Sequence, residues 1–230
     1  MRLVLTALLL LCIDFAAAAE PVAPTQLARV YRFNMEWGCY EGGALQGRDR
    51  ANLEATCGCF VKELDRTLSL DEWTRAAQAS VKQDEKGESA IMAPHYQQAS
   101  ETCQQNVDQA TPAAATLPDL TGTWRWVRRG SQCEEAFEYR ADGTARVVSG
   151  KEVTRSTYKV EDTTESRARY KLSMTITDDN NEIDCAGSVE DATGAAIESY
   201  IFVSDSAGAM VACRAPTGQD CIGPLFRKSE

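Results

Sequence analysis

The placement of the cysteines constrains this chain more than any other feature of its sequence. There are nine, and one of them, Cys12, lies in an apolar leader. The remaining eight form two sets of four on either side of a stretch rich in Ala and Pro. An even number of cysteines after a leader indicates disulfides. We therefore expect two domains with two bridges each. The sets are Cys39, Cys57, Cys59 and Cys103, then Cys133, Cys185, Cys213 and Cys221.

The leader has the pattern of a cleaved secretory signal. Met1-Arg2 supplies a positive start, Leu3–Ile13 is apolar, and Ala16–Ala19 offers Ala-x-Ala cleavage sites. The sequence thus predicts a signal peptide over 1–19 and a periplasmic or secreted protein. No later stretch approaches the roughly 20 apolar residues of a membrane span, so membrane insertion is not expected. The net charge of −10 makes nucleic acid an unexpected partner.

The stretch Asp108–Leu120 has no apolar periodicity and reads as a linker. It separates a helical pattern from an alternating one. We therefore predict an α+β protein of two domains: a disulfide-stapled helical bundle over 20–110, a linker over 111–118, and an antiparallel up-and-down β-barrel over 119–230.

The first domain shows helical periodicity. Gln26–Trp37 predicts one helix, and a run beginning after Asp49 and reaching Leu68 predicts a second. Ser69 is the expected N-cap of a third helix. The pattern breaks at Gly87 and resumes over 88–108, interrupted by Pro94, which completes a bundle of three or four helices.

The pair Cys57 and Cys59, one residue apart, raises three alternatives: a redox couple, a metal clip, or halves of two disulfides. Residues two apart on a helix point about 200° apart, which disfavours a bridge between them. We expect one to pair with Cys39 and the other with Cys103. Redox chemistry would favour a CxxC at a helix start. A metal site would favour nearby histidines, and the only histidine, His95, is distant in sequence.

Alternation begins in the second domain. Trp124 and Trp126 share one face of a strand, and the segment 135–148 alternates around a turn at 141–143, which is a hairpin signal. Over 169–177, alternate positions from Tyr170 to Ile176 point inward. Further strands are predicted at Glu152–Val160, Cys185–Val189, Ile197–Val203, Met210–Cys213 and Leu225–Arg227. Eight or nine short strands of this kind close most simply into a barrel.

The same strand count predicts the bridges of this domain. If Cys133 enters the second strand and Cys185 the sixth, they lie at the same end of the barrel, and we expect them to pair. Cys213 and Cys221, a short loop apart, are expected to pair at the opposite end. The acidic run 178–182 lacks the spacing of a calcium loop and is interpreted as a turn.

The opening of the first predicted strand, Gly122-x-Trp124, resembles the Gly-x-Trp opening of lipocalin-like barrels. The resemblance covers residues 119–228. It implies that Trp124 plugs one end of the barrel and that a basic residue late in the chain packs on its ring. Arg227 is the candidate, because a guanidinium over an indole face is favourable.

Three functions follow. The resemblance implies an extracytoplasmic binding protein whose barrel holds a small apolar ligand, with Trp126, Tyr139 and Tyr170 as its walls. If bulky side chains fill the barrel instead, we expect a protein-binding module, an inhibitor or envelope factor. An enzyme is the weakest hypothesis, since there is one histidine and no nucleophile motif. No catalytic residue, cofactor or metal is predicted.

Overall fold

The computed structural model describes residues 24–48, 50–109, 117–127, 132–163, 170–204, 208–218 and 220–228. Within these ranges four helices precede eight strands, which is the predicted α+β arrangement. The predicted signal peptide and residues 111–116 of the predicted linker lie outside the described residues.

The helical part begins with a longer helix than the sequence predicts. The four helices are α1 (Pro24–Leu45), α2 (Arg50–Thr67), α3 (Leu70–Val81) and α4 (Glu85–Gln109). Ser69 caps α3 as expected, in a capping box with Glu72. The expected break at Gly87 is wrong: α4 begins before it and continues through Pro94. The Asp84 carboxylate accepts a hydrogen bond from the Gly87 amide at 3.0 Å, which satisfies one of the first amides of the helix.

Disulfides join the helices in the predicted manner. Cys57 pairs with Cys39 on α1, and Cys59 pairs with Cys103 on α4. Neighbouring cysteines on opposite faces of α2 therefore fasten it to two different helices. The apolar residues at the centre of this bundle are Ala28, Leu64, Leu68, Trp73, Ala76, Met92 and Ala99. None of the helices in the described ranges is both long enough and apolar enough to cross a bilayer.

The strands form a closed antiparallel barrel in which each strand pairs with its neighbours in sequence. Trp124 of the first strand pairs with Arg227 of the last, which completes the ring. The strands are β1 (Gly122–Val127), β2 (Glu134–Tyr139), β3 (Thr144–Ser149), β4 (Glu152–Asp162), β5 (Tyr170–Asp179), β6 (Ala196–Ser204), β7 (Ala209–Cys213) and β8 (Cys221–Arg227).

The predicted strand at Cys185–Val189 is wrong. Residues 180–195 instead form an excursion between β5 and β6, held by backbone bonds that the amides of Lys151 and Glu152 donate to the Ile183 carbonyl at 2.9 and 3.2 Å. Both predicted bridges of the barrel are present, Cys133–Cys185 and Cys213–Cys221.

With one strand fewer, the predicted ends change. In an up-and-down barrel every second connection lies at the same end, so the approach to β2, the excursion and the β7–β8 turn lie together. The two bridges therefore lie at the same end, not at opposite ends. We call this the Cys133 end and the other the Trp124 end.

Helix α1 packs against the outer wall of the barrel. Its rings surround Phe202 of β6, with centroid distances of 6.0 Å from Phe33, 5.0 Å from Trp37 and 5.2 Å from Tyr40. Nearby, the Ser204 hydroxyl donates to the buried Glu36 carboxylate at 2.5 Å. One apolar cluster thus combines residues of the helices with outward residues of the barrel.

The second half of β6 and most of β7 are consequently buried on both faces. Ile201 and Val203 point into the barrel, whereas Phe202 points toward α1, and all three are buried. On β7, Met210 points inward and Val211 outward, and both are again buried. A strand covered on both sides needs apolar residues in succession, as parallel-sheet strands do.

Candidate functional site

Trp124, the predicted plug, is buried at the Trp124 end of the barrel. Its indole N–H donates to the Leu120 carbonyl at 2.7 Å, and the Arg227 guanidinium carbon lies 4.7 Å from the ring centroid. Arg227 also donates to the Asp119 carbonyl. The stacking partner that the resemblance implies for Trp124 is therefore in place, and a cation over an indole face is attracted by its ring electrons.

Two of the three predicted wall residues lie toward the Trp124 end. Tyr139 ends β2 and Tyr170 begins β5, and both are buried in the barrel core. The Tyr139 and Tyr158 rings meet edge to face at 5.0 Å, and burial raises the pKa of the Tyr139 hydroxyl well above its usual range. The third, Trp126, packs against the same core from the Cys133 end and is only half-buried.

On β1, β6 and β8, inward side chains become more exposed toward the Cys133 end. On β6, Ile201 is 0 % exposed, whereas Ile197 on the same face is 43 % exposed. The same change runs along β1 from Trp124 to the half-buried Trp126 and along β8 from Leu225 to the half-buried Ile222. Inward apolar residues at this end are therefore reached by solvent.

These side chains define a candidate chamber at the Cys133 end of the barrel. Cross-strand register places them on the inner wall; Ile197 lies opposite Met174, and Phe137 opposite Val147. The chamber residues are Trp126, Phe137, Val147, Met174, Ile197, Ala212 and Ile222. The sequence predicted Trp126 as a wall residue, and its alternation placed Met174 inward without separating the two ends of the barrel.

Carboxylates line the same end. Glu135 of β2, Ser149 of β3 and Glu152 of β4 lie in one cross-strand row. The Ser149 hydroxyl donates to Glu135 at 3.2 Å and accepts the Cys185 amide at 3.1 Å. Burial, together with the negative charges of Asp179, Asp184 and Glu135, raises the pKa of Glu152. These acids were not recognised in the sequence, because they come together only through the register and the excursion.

Asp179 has a structural task at the base of the excursion. Its two carboxylate oxygens accept the amides of Asn181 at 2.8 Å and Ala192 at 3.0 Å. The acidic run 178–182, predicted to be a turn, is one only in part: Asp178 and Asp179 are the last residues of β5, and 180–182 begin the excursion. Asp179 is directed inward, opposite Thr154, and Asp178 is exposed. In the described ranges, no three Asp, Glu, His or Cys side chains are placed to hold one metal ion.

His95, the single histidine, lies half-buried on α4 in the helical part. The cysteines that could have joined it in a metal site are all engaged in disulfides, Cys57 and Cys59 included. The structure does not bring His95 to the barrel chamber.

Comparison with protein-family models, with curated proteins and with solved structures gives no match to this chain. The class is therefore defined by the fold and the site: an α+β protein with a disulfide-bonded helical part and an eight-stranded up-and-down barrel. In strand number, strand order and closure of the ring, the barrel is consistent with a lipocalin-like architecture. The disulfides fit an oxidising, extracytoplasmic environment.

Proposed function

We propose that this chain is a non-enzymatic binding protein whose lipocalin-like barrel takes a small apolar ligand into the chamber at its Cys133 end. The observation that carries the proposal is the exposure of Ile197 on the inner face of β6, whose inward residues nearer the Trp124 end, Ile201 and Val203, are buried. Apolar area reached by water costs about 25 cal/mol per Å², and a ligand seated there would remove that cost.

The location proposed for this function is outside the cytoplasm. Four disulfides and the leader over 1–19 support a cleaved signal peptide and a periplasmic or secreted protein. An eight-stranded barrel has room for one small ligand when its side chains leave part of it unfilled. In this barrel the packed half supplies a rigid floor for the chamber.

A second candidate function is favoured by the outer rim of the same end. Val127, Ile183 and Val189 are apolar and exposed there, on β1 and on the excursion. Grouped exposed apolar residues are typical of protein interfaces. In this alternative the barrel acts as a protein-binding module, an inhibitor or envelope factor, through its rim.

Fluorescence and calorimetric titration with octanol, dodecanol and octanoate tests the first proposal. We expect binding to change the emission of Trp126, and a Trp126→Phe variant to lose that change. Ala212→Phe should fill the chamber and abolish binding, whereas Ala196→Phe, at an exposed position of β6, should leave binding intact. Absence of any response, or binding that survives Ala212→Phe, would leave the protein-partner function.

A further inference from the structure

The polar groups on the inner wall of the chamber have one sign of charge. Glu135 and Glu152 are in the same cross-strand row, and Asp179 lies opposite Thr154, the next inward position of β4. The chamber residues and the inward positions around them, within the described residues, include no lysine or arginine. At this end Arg125 pairs at 2.6 Å with Glu134, which points outward, and Lys151 in the β3–β4 turn is exposed.

A second, independent feature lies deeper on the same strand. Ser156 follows Glu152 and Thr154 along the inner face of β4 and lies opposite Ala145. Ser156 is 3 % exposed, and its hydroxyl has no hydrogen-bond partner among the described residues. A buried hydroxyl without a partner is unfavourable and uncommon in folded proteins, so such a group marks a place where a ligand atom can form the missing hydrogen bond.

The spacing of these groups gives the size of a matching ligand. Glu152 and Ser156 are four residues apart on an extended strand, which corresponds to about 13 Å. Between them on the inner face of β4 lies Thr154, opposite Val147, and Ala145 stands opposite Ser156. Ile222 of β8, four strands from β4 around the ring, is an apolar residue of the far wall.

We propose that the ligand is a small organic cation with an apolar body: an ammonium group lies beside Glu152 and Glu135, and a polar atom at the far end bonds the Ser156 hydroxyl. This inference rests on the proposed function, because it names the class of ligand for the same chamber. A divalent metal is the poorer fit, because no three of the described acidic groups are placed to hold one ion.

Calorimetry with octylamine, octanol and octanoate tests the charge, since the three share one chain and differ in the head group. At neutral pH we expect octylamine to bind about tenfold more tightly than octanol, as one charge-assisted contact provides, and octanoate to bind most weakly. Glu152→Gln should remove most of this preference. Glu134→Gln is the matched control, because it removes the same charge at the same end from an outward side chain.

The possible outcomes distinguish a failure of this inference from a failure of the proposed binding function. If octanol binds as tightly as octylamine, or if the preference for octylamine survives Glu152→Gln, the proposal of a cationic ligand is wrong. The proposal that the chamber binds an apolar ligand is then unaffected. No binding by any of the three overturns both. For Ser156, ω-amino-octanol should bind more tightly than octylamine, and Ser156→Ala should abolish the difference. Equal affinities in the wild-type protein would remove Ser156 from the site.

Discussion

Trp124 is expected to contribute most to the packing at the Trp124 end of the barrel. It is buried, bonded through its indole N–H to Leu120 and stacked under Arg227. Replacing it by alanine leaves a large cavity, so Trp124→Ala should lower the free energy of unfolding by about 3–5 kcal/mol. Denaturant titration measures this loss. Trp126→Ala, at a half-buried position of the same strand, is the control and should cost clearly less; equal losses would contradict the assignment of Trp124 as the plug.

The contacts of individual residues were predictable where they follow from the residue types alone. The stacking of Arg227 on Trp124 followed from a three-residue resemblance and a favourable pairing of types. Glu152 and Ser156 give no such signal, since a Glu at a strand start and a Ser in a strand are ordinary. Their environment is set by the residues that lie opposite them on β3 and β5. The register between these strands cannot be predicted from the sequence of one strand.

Among the elements, the excursion 180–195 shows why a strand was predicted where none forms. Cys185 and Val189 flank small residues and so mimic alternation, but the Asp184 carboxylate accepts the amides of Ala186 and Ser188 at 2.8 and 2.7 Å. Gly187 has a positive φ of 82°, which an extended strand does not permit. Local side-chain bonding to the backbone thus overrides the apolar pattern.

The two bridges of the barrel should contribute unequally to stability. The chain between Cys133 and Cys185 is 52 residues, and that between Cys213 and Cys221 is 8. Loop-closure entropy then gives about 4 kcal/mol for the first and about 2.5 kcal/mol for the second. Replacing both cysteines of a pair by serine, followed by denaturant titration, compares them directly. A larger loss for the Cys213–Cys221 pair would show that the excursion stays folded without its bridge.

Strands β6 and β7 carry a signal that alternation alone does not use. Tyr200–Val203 and Ala209–Ala212 are almost continuously apolar. Such runs indicate burial on two faces. The sequence therefore shows that something covers the outside of these strands. That α1 is the covering element depends on tertiary packing, which the pattern of either segment does not specify.

At the scale of the whole molecule, the helices and the barrel share one apolar cluster, which lies between the separate centres of the bundle and of the barrel. Phe202 is surrounded by rings of α1, and Arg29 lies over Phe226 of β8 at 4.7 Å. We therefore expect a single cooperative unfolding transition, with equal calorimetric and van't Hoff enthalpies. Phe202→Ala should lower the stability of both parts together, by about 3–5 kcal/mol.

The control for this prediction is Ile197→Ala on the same strand, whose exposed side chain should cost much less. Circular dichroism at a helical wavelength and tryptophan fluorescence should give coincident midpoints in every variant. Two separate midpoints in the wild-type protein would show that the helical part and the barrel unfold independently. The division at 111–118 would then be a boundary between autonomous domains, as the linker composition predicts.

The packing of α1 on the barrel also has a consequence for the order in which the chain folds. Glu36 and Ser204, which bond directly, are 168 residues apart, and Arg29 reaches the carbonyl of Arg227 across 198. Contacts of such long range form late, because the closure of a large loop precedes them. A chain that emerges from its N-terminus first presents the aromatic face of α1 long before β6–β8 exist to cover it. During synthesis that exposed aromatic face is a segment that a chaperone would protect, and folding is completed only after the last strand has emerged.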